Sequence, residues 1–166
     1  MKESISLIGM AGAGKSSIGK RLAKYLDFNF IDSDELIEEN QNKSLQEVLV
    51  QNGIKEFKRI EEAAILSVLF NQTILATGGS AIFSKNAMNH IKSNSSVIYL
   101  EVPYKNIINR IPDFSDRGFI KEDDQTIQNA FNEREGIYRE FADHIVSNNE
   151  ELESCFNKIL RIIRKS

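Results

Sequence analysis

Cysteine is almost absent from this sequence: Cys155 stands alone. That excludes an internal disulfide and suits a reducing compartment. An excess of positive charge is missing too. A net charge of −3 and a pI near 5.5 leave no electrostatic footprint for nucleic acid, so no nucleic-acid partner is expected. Long hydrophobic runs are lacking as well. The apolar stretch after Met1-Lys2-Glu3 ends at Gly9, too short for a signal peptide or a membrane span. A cytoplasmic location without a membrane partner is therefore expected. Histidine is scarce, and His90 and His144 have no companions at ligand spacing, which argues against a histidine-based metal centre. Cys155 falls in the apolar stripe of the last helical segment and reads as core packing. No linker, repeat or low-complexity tract divides the chain, so residues 1–166 are expected to form one domain, taken to be monomeric.

What is present is an ordinary globular mix, 41% hydrophobic and 27% charged over 166 residues, long enough to bury a core without disulfides. Short apolar runs predict strands over 4–8, 28–31, 73–76, 96–101 and 144–147. Helical periodicity predicts helices over 15–26, 33–40, 44–51, 54–70, 84–93, 103–110, 126–143 and 150–165. Strands separated by helices point to an α/β fold with a five-stranded parallel sheet covered on both faces. Ligands in such sheets bind beyond the carboxyl ends of the strands. Residues 111–125 lack periodicity and hold Pro112 and Gly118. A stretch of that length is either a lid or a plain surface loop, and Phe119 within it either covers a site or is simply exposed.

One motif carries most of the chemistry. Gly9-Met10-Ala11-Gly12-Ala13-Gly14-Lys15-Ser16 matches the P-loop pattern, after a predicted strand and opening a predicted helix. Its glycines let backbone N–H groups curl around phosphate oxygens, and the helix N-terminus adds partial positive charge. Lys15 supplies a mobile cation for the β- and γ-phosphates, and Ser16 can ligand Mg²⁺. The competing reading is a glycine-rich turn beside a surface lysine.

Asp32 and Asp34 close the second strand and enter a helix. One carboxylate there can hold Mg²⁺ or its water, and the other can accept a proton from an attacking hydroxyl. Helix capping by Ser33 or Asp34 is the alternative. In the helix over 54–70, Ile54, Phe57, Ala64, Ile65, Val68 and Leu69 form an apolar stripe with Glu61 in its middle and Lys58 near its edge. The two are either part of a site or a structural ion pair with a snorkelling lysine. Arg134 sits at the centre of the stripe Ile127, Ala130, Phe131, Ile137, Tyr138 and Phe141. It either pairs with a buried acid or reaches into a cleft, where its planar fork suits a carboxylate or phosphate.

Together these residues resemble the shikimate kinase family over nearly the whole chain. The P-loop, Asp32-Ser33-Asp34 as the family's D-x-D, Phe57 with Glu61, Gly78-Gly79, and Glu133-Arg134 with Tyr138 carry the resemblance. It implies a P-loop kinase three-layer α/β/α sandwich with a lid. By it, ATP would be held by Gly12, Ala13, Gly14, Lys15, Ser16 and Ser17, with Arg110 beside the adenine. Mg²⁺ would lie by Ser16 and Asp32. Asp34 would contact the acceptor hydroxyl, Arg134, Gly78 and Gly79 would bind the acceptor, and Arg117 would be the lid arginine. Three positions depart from the family. Lys58 stands where an arginine grips the acceptor's carboxylate, Ser80 replaces a third glycine, and Gly118 replaces a proline.

The expected activity is phosphoryl transfer from MgATP to a hydroxyl of a small metabolite. Lys15, Asp34 and Arg117 are the expected catalytic residues, and shikimate is the first-choice acceptor, with Lys58 among its contacts. Another hydroxy acid or sugar acid is the alternative within kinases. A nucleotide-binding regulatory module is the alternative of a different class.

Overall fold

The computed structural model describes residues 2–111, 113–114 and 119–165. Five strands, β1 (Ile5–Ile8), β2 (Asn29–Asp32), β3 (Thr73–Ala76), β4 (Ser96–Glu101) and β5 (His144–Ser147), form one sheet in the order β2-β3-β1-β4-β5. Every pairing is parallel, as the alternation of strands and helices requires. Seven α-helices connect or flank the strands: α1 (Lys15–Leu26), α2 (Ser33–Gln41), α3 (Leu45–Leu66), α4 (Lys85–Asn94), α5 (Tyr104–Arg110), α6 (Ile127–Phe141) and α7 (Leu152–Arg164).

Period-two alternation divides the strand side chains between two cores. Ile5, Leu7, Ile74, Ile98 and Leu100 pack on one face with Ile18 and Leu22 of α1 and Phe156 and Ile159 of α7. Leu75, Val97 and Tyr99 pack on the other with Ile65 of α3, Met88 and Ile91 of α4 and Tyr138 of α6. Each fully buried aliphatic side chain stabilises the fold by about 1.5–3 kcal/mol. These two layers hold the central strands rigid beneath the loops at their carboxyl ends. Cys155 belongs to the first core, where burial pushes its thiol up to about 11. Among the described residues, no helix is long and apolar enough to cross a membrane.

The expected strands and helices are present, with boundaries that shift in places. The two helical segments expected over 44–51 and 54–70 lie on either side of a kink at Gly53 (φ 75°, ψ 168°) within α3, which opens with a capping box between Ser44 and Glu47. The helix ends at Leu66, four residues early, so Leu69 leaves the apolar stripe and is 84% exposed. Beyond β3, a short 3₁₀ turn over Ala81–Phe83 carries the chain toward α4, where the sequence has no helical period to reveal it. β2 runs one residue further than expected, taking Asp32 into the strand.

Candidate active site

Strand β1 lies between β3 and β4, so the connections from its carboxyl end diverge and leave a crevice there, the usual ligand position in open α/β sheets. The P-loop fills this point, residues 9–16 passing from β1 into α1. A cleft of about 530 Å³ opens above it, lined by Gly12, Gly14, Lys15, Ser16 and Ser17 at one end and by Asp34, Glu61, Ser80 and Arg134 at the other.

Gly14 has φ 91°, a conformation that disfavours a side chain. A Cβ there would also stand 2.6 Å from Asn148 Nδ2. That amide donates to Ala13 O at 2.8 Å, while Arg110 donates to Gly12 O at 3.2 Å and to Asn148 O at 2.7 Å. The loop is thus braced from β5 and α5 in the shape it needs. Lys15 Nζ donates to Gly9 O at 2.8 Å and Met10 O at 2.9 Å, holding the ammonium against its own loop. The Ala13 N–H donates to Met10 O at 3.0 Å, and Ala13 is fully buried. Of the expected nucleotide contacts, Ala13 and Arg110 therefore shape the loop, and the other described ones line the cleft.

At the end of β2, Ser16 Oγ donates to Asp32 Oδ2 at 2.5 Å. Asp32 also caps α2, its Oδ1 accepting from the Asp34 N–H at 3.0 Å. The cap is therefore Asp32, not Ser33 or Asp34. Because the helix begins at Ser33, Asp34 projects from its first turn rather than from an extended strand. Ser33 is buried and its Oγ accepts from the Gly78 N–H at 2.8 Å, tying α2 to the turn after β3. Sequence reasoning named Ser33 only within the motif and as a possible cap, and missed Asn148. The latter follows a strand's carboxyl end directly, a position that could have flagged it.

The acceptor end is a set of buried charges. Glu61 is 3% exposed and Arg134 2%. Ser80 Oγ donates to Glu61 Oε2 at 2.7 Å. Gly78 packs between Glu61 Oε1 and Asp34 Oδ1, and both oxygens lie where a Cβ could not fit. Burial first, and then the Asp34 charge, push the Glu61 carboxyl up to about 7 against the opposing pull of Ser80, Arg134 and Lys58. Arg134 donates to the Ile120 carbonyl and stacks 4.3 Å from the Phe119 ring centroid. Burial lowers its pKa from the ordinary arginine value. Tyr138 donates to Gly79 O at 2.6 Å, fixing the glycine turn beside the guanidinium. Among the described residues, the Arg134 Nε is buried without a hydrogen-bond partner. An orphaned donor costs about 1–3 kcal/mol, as much as burying one aliphatic side chain gains. A bound ligand or an ordered water can satisfy such a group.

Lys58 is placed elsewhere. It does not line the cleft. Its Nζ lies 5.0 Å from the Phe83 ring centroid, which Arg134 also approaches, at 5.3 Å, in a pocket of about 120 Å³ that shares Glu61 and Ser80 with the cleft. Lysine at this position follows the aromatic face and leaves Glu61 to Ser80. Arg117 and Gly118 lie outside the described residues. Among the described residues, no group of three His, Cys, Asp or Glu side chains could hold a metal ion.

The sequence pattern of the family described as shikimate kinase matches residues 11–164. The chain belongs to the shikimate kinase family. The shikimate kinase of Clostridium botulinum (strain Eklund 17B / Type B) is 35% identical over 164 residues, 98% of each chain. That of Sulfurihydrogenibium sp. (strain YO3AOP1) is 33% identical over 138 residues, 82% of this chain and 83% of its own. Among solved structures, the shikimate kinase from Acinetobacter baumannii in complex with shikimate superimposes with a TM-score of 0.88 at 27% identity, covering 98% of this chain and 93% of that one. The fold is that of the P-loop kinases. Membership makes the chain a phosphotransferase that uses ATP to phosphorylate a hydroxyl group of a small molecule.

Proposed function

We propose that this chain phosphorylates shikimate, as one domain over residues 1–166 with a lid over 111–125. The observation that carries the choice of acceptor is the buried Arg134 guanidinium, its Nε without a partner among the described residues, in the same cleft as Asp34 and the P-loop. A guanidinium so placed calls for a carboxylate, and the nearby Asp34 calls for a hydroxyl. Shikimate carries both.

ATP would lie along the P-loop, with Lys15 exchanging its loop carbonyls for phosphate oxygens. Ser16 and Asp32 fit Mg²⁺: they supply a hydroxyl and a carboxylate oxygen side by side, and Mg²⁺ takes one or two carboxylates and completes its shell with phosphates and water. When bound, the ion neutralises charge on the phosphates. Asp34 orients the acceptor hydroxyl and receives its proton as the oxygen attacks the γ-phosphorus. Phosphoryl transfer needs little beyond this positioning and charge stabilisation. Gly79 would leave room for the acceptor beside Arg134, and Phe119 would shield that end from water. Monomeric, cytoplasmic and without nucleic-acid or membrane partners remains the reading of the chain as a whole.

ATP turnover over a panel of hydroxy acids and sugar acids tests this directly. The expected result is a kcat/KM for shikimate at least about 10²-fold above the others, since a site built around buried polar groups rejects ligands that leave them unpaired. A higher value for another acid would replace shikimate as acceptor. No turnover with any acceptor, with ATP binding intact, would favour a nucleotide-binding module.

A further inference from the structure

Glu61 and Arg134 are opposite charges, both nearly fully buried and both lining one cleft. Attraction between such groups is strong in a poorly hydrated site. Yet they form no ion pair within 4.0 Å, and among the described residues the Arg134 Nε stays unpartnered. Something must hold the acid away. Among the described residues, Ser80 is the group that hydrogen-bonds Glu61, Oγ to Oε2 at 2.7 Å. The other oxygen, Oε1, is packed on Gly78. The carboxyl is therefore fixed at both ends, and only the Ser80 end is a hydrogen bond. Lys58, one turn away on the same helix, is turned onto Phe83.

We propose that Ser80 is a positioning residue of the acceptor site: its hydroxyl restrains the Glu61 carboxyl from turning onto Arg134, which keeps that guanidinium open to the acceptor's carboxylate. A residue without a hydroxyl at this position could not do this. The role rests on shikimate, or another carboxylate-bearing acceptor, being the substrate. The groups facing Glu61 are Asp34 from α2, Arg134 and Tyr138 from α6, Lys58 on its own helix and Ser80 from the turn after β3.

The test compares full-length wild type with Ser80→Ala and Ser80→Thr by steady-state kinetics and by carbon NMR of labelled glutamate carboxyls, Glu61 being identified by loss of its signal in Glu61→Gln. Ser80→Ala should raise the KM for shikimate about 10-fold, the weight of one charge-assisted hydrogen bond, with the KM for ATP unmoved. Ser80→Thr, which keeps the hydroxyl, should lie near wild type. In Ser80→Ala the Glu61 titration midpoint should fall by about one pH unit, because the carboxylate now pairs with a guanidinium. Simple loss of a donor would raise that midpoint instead, so a rise or no change overturns the proposal. If Ser80→Ala does not fold, Ser80→Gly, which likewise lacks the hydroxyl, takes its place with the same expected outcomes. If wild type does not phosphorylate shikimate, the acceptor assignment fails, while the direction of the midpoint still decides whether Ser80 keeps Glu61 from Arg134.

Discussion

The Glu61 and Asp34 carboxylates face each other across the space that a side chain at Gly78 would fill. Two acids so close disfavour each other's ionised forms, and the arrangement survives because Ser80 and Arg134 oppose that repulsion from the Glu61 side. Gly78 is therefore fixed by its neighbours rather than by its backbone angles.

Gly78→Ala should displace both carboxylates, since the new Cβ would fall 2.5 Å from Asp34 Oδ1 and closer still to Glu61 Oε1. Misplacing a reacting group by about 1 Å costs on the order of 10²-fold in rate. We expect a kcat reduced by about that factor, with nucleotide affinity preserved because the P-loop is untouched. Equilibrium binding of an ATP analogue beside steady-state kinetics checks it, and an alanine variant of normal kcat would show that the pair does not govern acceptor alignment.

Glu61 also makes stability depend on pH. Its folded value, about 7, lies above the ordinary 4.5, so between those values the native state binds more protons than the unfolded chain. Stability then falls as pH rises through this window, the favourable contribution being complete below about 4.5 and gone above about 7. The displacement corresponds to roughly 3 kcal/mol. Glu61→Gln keeps the shape and can still accept from Ser80, so its stability should decline less over the same range. Urea midpoints at several pH values from 5 to 8 measure this. Parallel curves for the two proteins would mean that Glu61 titrates normally.

The sheet was legible because strand patterning and helix periodicity change cleanly along the chain, and the P-loop was legible because its glycines and lysine are spaced by backbone geometry alone. Glu61 and Arg134 stood out as charges within apolar stripes, and both are buried as that pattern implies. Tertiary choices were not legible. Nothing local shows that Lys58 turns onto Phe83, that Ser33 supports Gly78 from 45 residues away, or that Asn148 braces the P-loop across 135. Each depends on which strand ends meet. Asp32 was read as an acid near the phosphates, but its second task as the cap of α2 depended on where the strand stopped.

That double task separates the two aspartates. Asn is as good a cap as Asp, so Asp32→Asn should leave folding nearly unchanged while raising the Mg²⁺ concentration needed for half-maximal activity. Asp34→Asn should instead lower kcat by about 10²–10⁴-fold, the usual weight of a general base, with ATP binding intact. Magnesium titrations and kcat for both variants distinguish the roles. Reversed effects would exchange the assignments.

Arg134 and Lys58 offer the sharpest contrast at the acceptor end. Both are basic and both lie near Glu61, but only Arg134 lines the cleft, with a buried donor left over. Lys58 rests against Phe83 in the neighbouring pocket. Arg134→Met removes a charge-assisted hydrogen bond to the acceptor's carboxylate, which is worth about 1.5–3 kcal/mol or roughly 10–150-fold in affinity. Shikimate KM should rise by that factor at least, because Glu61 also loses its compensating charge. Lys58→Met should raise it less, since a lysine in the neighbouring pocket, over the same Phe83 ring as Arg134, acts on the acceptor through its field rather than a hydrogen bond. Lys58→Arg bears on the same point. If residue 58 gripped the acceptor directly, the planar fork would lower the KM for shikimate. From its seat on Phe83 it should change KM little. Steady-state kinetics on the three variants with shikimate as the varied substrate supplies the comparison. Equal losses in Arg134→Met and Lys58→Met would mean that Lys58 leaves Phe83 and joins Arg134 when the acceptor binds.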